Sequence, residues 1–592
     1  MRTAKLIPAL LKRFRRRLAH VDAVPQLALL GILAGVVTGL IMVLFRYAIE
    51  WPAELLLPGN NPENFEGLPT WQRFALPVMG ATLLGLMLSR FAGHRLKIGV
   101  IHVMERYAKH QGHLPLSNGI LQFFTAAFAL ATGQSGGREG PAVHLGAAGS
   151  SVLGQWLRLP NNSIRTLVGC GIAAAISASF NTPIAGVIFA MEVIMLEYTI
   201  RGFMPIILAS VSATLISQIF FGSSPAFQVP DFNMVSLWEI PYVILMGIAA
   251  GTVAAAFTFS VSYLQRFNTI PLWQRLAFAG LITGIVATFV PQVMGIGYDS
   301  VNDALLGQTP ITILFLLCVT KLALTAINVG LGMPVGLIGP TLVIGAALGG
   351  FFGTASGYFV DSELSHVGFY ALLGMAAIMG SILQAPLAAL MAILELTANP
   401  NIVMPCLLII AVASMTSSEW FKQPSVFIAM LKQQGLNYQF DPITQSLQRA
   451  SVASIMERNF SRNNRYIGFN EAEAILNNEP RWILIESENK PIALLRAADL
   501  SHFMTSTKQK LKEDEITIDD TSDNMIDLLD IPGMRHDVVS LHLQSTLHAA
   551  LEKLNETGME ALYVQRTTAP MISPIVGIVT REAIENYYHI RN

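Results

Sequence analysis

The sequence predicts an all-α polytopic membrane domain, built as two structural repeats with broken, re-entrant helices and followed by a soluble α/β domain. Three observations carry this reading. The 592-residue chain has a mean hydropathy of +0.50 and is only 13% charged, against the roughly 25% typical of soluble domains. Apolar segments recur until about residue 415, and charged, mixed sequence takes over after about residue 431. Finally, the apolar part of the chain lines up with itself.

Residues 24–48, 240–263 and 272–296 are apolar and of spanning length, enough for a hydrocarbon core about 30 Å thick. Other apolar segments are short and interrupted by glycine or proline, as expected of helices that enter a bilayer without crossing it. MRTAKLIPALLKRFRRRLAH places seven Lys or Arg before the first long apolar run, without a small-residue cleavage site. The positive-inside bias puts that end in the cytoplasm, and anionic lipid explains the basic arm. A net charge of -1 gives no reason to invoke nucleic acid. Three cysteines, Cys170, Cys318 and Cys406, lie in apolar sequence and read as small buried side chains, not as a disulfide or metal framework. His102 and His144 have no ligand-like companions in sequence, so no metal is expected.

The internal match is specific. GCGIAAAISASFNTPIAGVIFAMEV (169–193) aligns with LLGMAAIMGSILQAPLAALMAILEL (372–396) at an offset of 203, pairing Pro183 with Pro386 and Glu192 with Glu395. Upstream, GQSGGREGPAVHLGAA (133–148) aligns with GMPVGLIGPTLVIGAA (332–347) at an offset of 199. A broken helix exposes free N–H groups at its start, tolerable at membrane depth only beside protein, a cavity or an ion. Helix N-termini also carry partial positive charge, and proline is accepted in the first turn. Gly140-Pro141 and Gly339-Pro340 thus read as two helix starts aimed at one point, an arrangement that favours an anion.

Glu139 precedes Gly140-Pro141 and is open to two readings. It is either an acid paired with Arg138 at a turn or a competitor for the anion's donors, closing the path when charged and opening it when protonated or displaced. The matching position in the second half is Ile338. Intramembrane acids are functional by default, but the symmetric placement of Glu192 and Glu395 favours a structural role, such as accepting hydrogen bonds from a neighbouring loop. SGGREGP lacks the Gly-Lys-Ser/Thr ending of a phosphate-binding loop.

GREGP (137–141), FNTPIAGVIFAMEV (180–193) and GLIGP (336–340), in that order, resemble the CLC family of chloride channels and proton/chloride antiporters over about residues 25–430. The resemblance implies two inverted-topology repeats and a homodimer with one chloride pathway per subunit in the inner (plasma) membrane. It implies Glu139 as the external gate, with anion-coordinating N–H groups from Arg138 to Gly140 and from Leu337 and Ile338. The chain departs from the family in three places. The family's early serine is Ile98 in KIGVI (97–101), and its central tyrosine is Phe427 in SVF (425–427). Each lost donor weakens the inner anion site, by about 1–3 kcal/mol if water does not replace it. The inner proton-passing glutamate of many antiporters is Val193, which cannot titrate. A passive voltage- or pH-gated chloride channel is therefore expected, with proton-coupled exchange, relayed by water or Glu197, as the alternative. A membrane enzyme would need clustered catalytic groups that Glu139 lacks in sequence.

In the tail, 481–503 and 560–588 each read strand, turn, strand, helix, with a further helix ahead of each unit. They resemble a pair of CBS modules, and GIVTREAI (577–584) resembles the closing strand and helix of such a module. Some CBS pairs bind adenine nucleotides; of the residues involved only Asp499 is kept in the first unit, and Gly577 and Thr580 in the second. A dimer-stabilising, cytoplasmic role is the main expectation for the tail and nucleotide binding the lesser one. The expected boundaries are a basic segment at 1–23, repeats at 24–225 and 226–430, a linker at 431–448, modules at 449–507 and 529–592, and an acidic linker at 508–528.

Overall fold

The computed structural model describes residues 24–589, apart from residues 92–96, 198–199, 225–226, 228–231, 233, 358–364, 437–441, 489, 514–524 and 567–573. The basic segment at 1–23 lies outside the described residues. The chain divides into two units, Val24–Gln439 without Leu159–Ser163, and Phe440–Asn592 with that short segment.

In the first unit the apolar runs form helices, because a helix satisfies every interior backbone group within its own segment. The first repeat comprises α1 (Val24–Leu56), α2 (Thr70–Phe91), α3 (Gly99–Lys109), α4 (Leu116–Ala131), α5 (Glu139–Trp156), α6 (Asn161–Phe180), α7 (Pro183–Phe189) and α8 (Ile200–Phe221). The second comprises α9 (Ile240–Leu264), α10 (Leu272–Phe289), α11 (Tyr298–Leu305), α12 (Ile311–Leu331), α13 (Ile338–Ser356), α14 (Val367–Leu383), α15 (Pro386–Thr397), α16 (Val403–Met415) and α17 (Val426–Gln433). Among the described residues, eight helices are long and apolar enough to cross a membrane. The run expected at 272–296 ends as a helix at Phe289, because Pro291 opens a separate 3-10 turn, Pro291–Val293.

Sequence pairing between the repeats extends to backbone conformation and packing. Asn181 and Gln384, at the ends of α6 and α14, take left-handed φ of 61° and 52°. The chain reverses there before Pro183 and Pro386 start α7 and α15 in their first turns. In lipid, helix association depends on close packing of small residues. A Cβ on Gly146 or Gly171 would overlap the other's carbonyl across α5 and α6, and a Cβ on Gly345 or Gly374 would do so across α13 and α14. Glycine is needed at these four positions because backbone lies against backbone.

One element has no counterpart in the sequence pattern. After α7 the helix widens into a π turn, Ala190–Met195, and stops at Leu196 with φ 52°. It holds Glu192 and Val193.

The second unit is α/β. A six-stranded sheet has the order β1-β3-β4-β6-β7-β8, with β1 (Phe460–Asn464), β3 (Trp482–Ser487), β4 (Lys490–Arg496), β6 (Arg535–His542), β7 (Ala561–Gln565) and β8 (Ile575–Thr580). Each half repeats a parallel pair and then an antiparallel one, β1/β3/β4 and β6/β7/β8, joined where β4 meets β6. A separate antiparallel pair links β2 (Tyr466–Gly468) to β5 (Met525–Asp527). Helices α19 (Phe469–Asn477) and α20 (Ala497–Glu513) cover the first half through Ala472, Ile475, Leu500 and Met504. Helices α18 (Pro442–Arg449), α21 (Leu547–Thr557) and α22 (Arg581–His589) cover the second through Leu447, Leu547, Leu554 and Ile584.

Two expected linkers are shorter than their assigned spans. Within 431–448, α18 forms because Leu447 has a core to enter. Within 508–528, α20 runs on to Glu513 and β5 pairs at 525–527, while 514–524 lie outside the described residues.

Candidate functional site

The two Gly-Pro motifs meet. Gly137 and Gly336 exchange both backbone hydrogen bonds, each N–H donating to the other's carbonyl at 2.7 Å, as an isolated antiparallel bridge. A Cβ on Gly336 would run into Gly140 N and the Gly137 carbonyl, so only glycine permits the approach. The bridge sets the start of α5, with Arg138 before it, beside the start of α13, with Leu337 before it.

Loop 133–137 is fastened from several sides. Gln134 Nε2 donates to the Pro77 carbonyl at 2.7 Å and Asn328 Nδ2 to the Ser135 carbonyl at 2.9 Å. Lys321, fully buried on α12, donates to the Val293 and Gly295 carbonyls at 3.1 and 3.0 Å. Gly295 is in turn bonded to Gly136 and Gly133 at 3.4 Å. Donors fixed in this way need no reorganisation to receive charge.

Glu139, fully buried, turns its carboxylate away from its own helix and onto the start of α13. Oε2 accepts from Gly339 N at 3.0 Å, and Oε1 accepts from the Tyr298 hydroxyl. The carboxylate is thus held by a helix-start N–H and a hydroxyl, the kinds of donor that also suit a small anion. Arg138 does not pair with Glu139. Its Nη1 lies 3.5 Å from Glu50, itself held by Arg46, and its Nη2 donates to the Ser179 carbonyl at 3.2 Å. Sequence reasoning named Leu337 and Ile338 as donors and missed Gly339 and Tyr298. Gly339 was within reach of that logic as one of the first N–H groups of α13, but nothing near Tyr298 in sequence points to Glu139.

The three departures also have defined places. Ile98 is the N-cap of α3 and offers no side-chain bond. The following N–H, of Gly99, is taken by Gln122 Oε1 at 2.8 Å. Phe427 is buried on α17, which packs against α3. Val193 is buried in the π turn, and Glu197 beyond it is ion-paired with Arg165 at 3.6 Å.

Glu192 and Glu395 form a reciprocal pair of helix caps. Glu192 accepts from Leu387 N and Ala388 N at the start of α15, at 3.3 and 2.6 Å. Glu395 accepts from Ile184 N and Ala185 N at the start of α7, at 2.9 and 2.7 Å. Each acid thereby satisfies the orphan donors of the other repeat's half-helix.

His102 on α3 and His144 on α5 are brought together, Nδ1 to Nε2 at 2.9 Å, both buried. One of the two nitrogens must carry a proton, so the pair can hold one between two helices that flank the Gly-Pro bridge. Among the described residues no group of three or more His, Cys, Asp or Glu is arranged to hold a metal. In the tail, Asp499 Oδ2 accepts from Met534 N at 3.2 Å, Gly577 lies against Met456, and Thr580 Oγ1 accepts from Ala583 N at 3.3 Å. Asp499 lies in the first half of the sheet domain and Gly577 and Thr580 in the second.

Comparison with known proteins agrees with this geometry. Residues 79–418 match the family model described as voltage gated chloride channel. A ClcB-like chloride channel protein of Ralstonia nicotianae is 32% identical over 62% of this chain and 86% of its own length. Chloride channel protein CLC-f of Arabidopsis thaliana is 30% identical over 65% of this chain and 53% of its own. The H(+)/Cl(-) exchange transporter ClcA of Salmonella arizonae is 26% identical over 67% and 86%. Among solved structures, a slow cyanobacterial Cl-/H+ antiporter is 21% identical with a TM-score of 0.59, covering 69% of this chain and 97% of that one. A eukaryotic CLC transporter, 17% identical with a TM-score of 0.56, covers 94% and 97%. These structures show the fold; the eukaryotic one extends over nearly the whole chain, the cyanobacterial one over about two thirds of it.

Proposed function

The chain belongs to the CLC family of chloride-transporting membrane proteins, and we propose that within this family it conducts chloride passively, with Glu139 as a voltage- or pH-sensitive gate. One observation carries this reading. The Glu139 carboxylate occupies the donors at the start of the opposite repeat's half-helix, while the inner position used by many proton-coupled relatives is the apolar Val193. Protonation or displacement of Glu139 frees Gly339 N for the anion, and Arg138 to Gly140, Leu337 and Ile338 supply further backbone donors around it. At the inner end, Ile98 and Phe427 leave chloride less tightly held, which suits fast passage.

Proton/chloride exchange is the second reading. It is supported by the relatives and structural neighbours named as exchangers. Purified protein in liposomes tests both. With a chloride gradient and no membrane potential, passive conduction gives chloride flux without uphill proton movement; proton uptake against its gradient would replace it with exchange. Under either reading Glu139→Gln removes the pH dependence of chloride flux, and an unchanged profile in that variant would discard the gate.

The proposal extends to the assembly: a homodimer in the inner membrane, with the basic N-terminal arm and the α/β tail in the cytoplasm. The tail resembles paired CBS modules and serves to stabilise the dimer. Adenine nucleotide is the lesser reading for the tail, since Asp499 is spent on Met534 N and the second half lacks an acid in the matching place.

A further inference from the structure

The donors that hold Glu139 are not all backbone. Tyr298 opens α11 directly after Gly297, which sits in the left-handed region at φ 87°, a conformation natural to glycine. The preceding turn is tied to Lys321 on α12 through the Val293 and Gly295 carbonyls, and to loop 133–137 through Gly295. The ring is buried, edge-on to Phe227 at 5.5 Å and tilted against Phe180 at 6.2 Å, with the Arg138 guanidinium 5.7 Å from its centre. Backbone ties and ring packing together leave the hydroxyl one direction, toward Glu139 Oε1. The carboxylate thus takes one hydrogen bond from a side chain of α11 and one from the backbone of α13.

We propose that the Tyr298 hydroxyl and Gly339 N–H form a donor pair that holds the Glu139 carboxylate when the gate is closed and the permeating halide when it is open. The halide half of this assignment rests on the reading of Glu139 as the gate. Chemically, the carboxylate stands in for the anion: when it leaves, two buried donors remain, and a buried donor without an acceptor is costly. A halide settles that cost with no rearrangement of Tyr298, whose ring and backbone are fixed independently of Glu139. The hydroxyl also offsets donors lost elsewhere, since Ile98 and Phe427 contribute none at the inner end. The pathway's grip on the anion is thereby moved from its inner end to the position beside Glu139.

The test uses the full-length protein. Tyr298→Phe keeps the ring against Phe180 and Phe227 and removes only the hydroxyl. In a Glu139→Gln background, chloride binding by calorimetry weakens roughly tenfold or more on adding Tyr298→Phe, the effect of one hydrogen bond to a charged acceptor. With Glu139 intact, Tyr298→Phe shifts the midpoint of flux against external pH upward by about one unit, because the docked carboxylate loses a donor that favours its charged form. Arg138, Glu50, Glu63, Asp299 and Lys321, the other charged groups around this turn, are the same in both proteins. Equal chloride affinity in the two Gln backgrounds together with an unmoved midpoint overturns the assignment. If Tyr298→Phe does not yield folded protein, bromide diffraction from Glu139→Gln crystals decides: an anomalous peak at hydrogen-bond distance from Tyr298 Oη supports it, and a peak elsewhere overturns it. The gate reading fails by a separate result, pH-dependent flux that survives Glu139→Gln, so the two failures are told apart.

Discussion

Glu139 shows how far a single side chain's role depends on what the fold brings to it. Its position before Gly140-Pro141 made it a candidate competitor for an anion, and the structure supplies the donors from 159 and 200 residues away, Tyr298 and Gly339. The charged groups around it invite a second residue-scale prediction. Glu63, between α1 and α2, accepts from Asp299 N at 3.3 Å. Burial, and then the charge of Asp299, raise its pKa from 4.5 to about 6. A carboxyl whose folded pKa is raised costs nothing below its unfolded value; it opposes folding increasingly as pH rises from the unfolded to the folded value, and by a constant amount above it. Glu63→Gln should therefore stabilise the protein by on the order of 1 to 2 kcal/mol above pH 6 and leave it unchanged near pH 4. Thermal melts in detergent at pH 4 and pH 7.5 check this; an equal gain at both would remove the electrostatic explanation.

At the scale of elements, the half-helices are the informative parts. α7 and α15 start at proline, one in each repeat, and each has its free N–H groups capped by a glutamate at the end of the other. Such a cap costs about 0.5 to 2 kcal/mol to remove, since it leaves helix-start N–H donors without their side-chain partner. Glu192→Ala and Glu395→Ala should each lower the melting temperature in detergent, and the two Gln variants should do so less, because an amide oxygen still accepts. The pH profile of chloride flux should stay where it is. A profile moved by Glu192→Gln would instead make that acid part of the transport chemistry. The capping was half legible: equal offsets paired the two acids and the two prolines, but exchange of caps between repeats requires knowing that α7 and α15 face one another.

For the whole molecule, the two units are built on different rules. The membrane unit relies on glycine-mediated backbone contact, as at Gly146 with Gly171 and Gly345 with Gly374. The tail relies on apolar clusters on its sheet, including Ile483, Ile485 and Leu495 under α20 and Leu562, Val564 and Val579 under α21. Removing the tail after residue 436 should leave the chloride pathway complete, and the truncated protein should still support chloride flux in liposomes; under the proposed dimer-stabilising role of the tail, gel filtration should show a weaker dimer, and an unchanged one would discard that role. Calorimetry of the full chain with ATP, ADP and AMP should give no heat at millimolar ligand; a saturable heat would transfer the tail's role from dimer support to nucleotide sensing.

The sequence by itself determined the membrane class, the duplication, the meeting of two Gly-Pro helix starts and the strand–strand–helix pattern of the tail. Hydropathy, proline position and self-similarity are local or periodic properties, so they can be read along a chain. What only the tertiary structure decided is which groups face each other across long separations: Tyr298 on Glu139, Gln122 on Gly99 N, His102 on His144, and the exchanged caps of Glu192 and Glu395. None of these leaves a local pattern, because a hydrogen bond between residues 23 to 211 apart is set by how helices stack and by where glycine lets backbones approach. The same reason explains the π turn at Ala190–Met195, where packing against α3 and α15 outweighs a sequence that reads as plain helix.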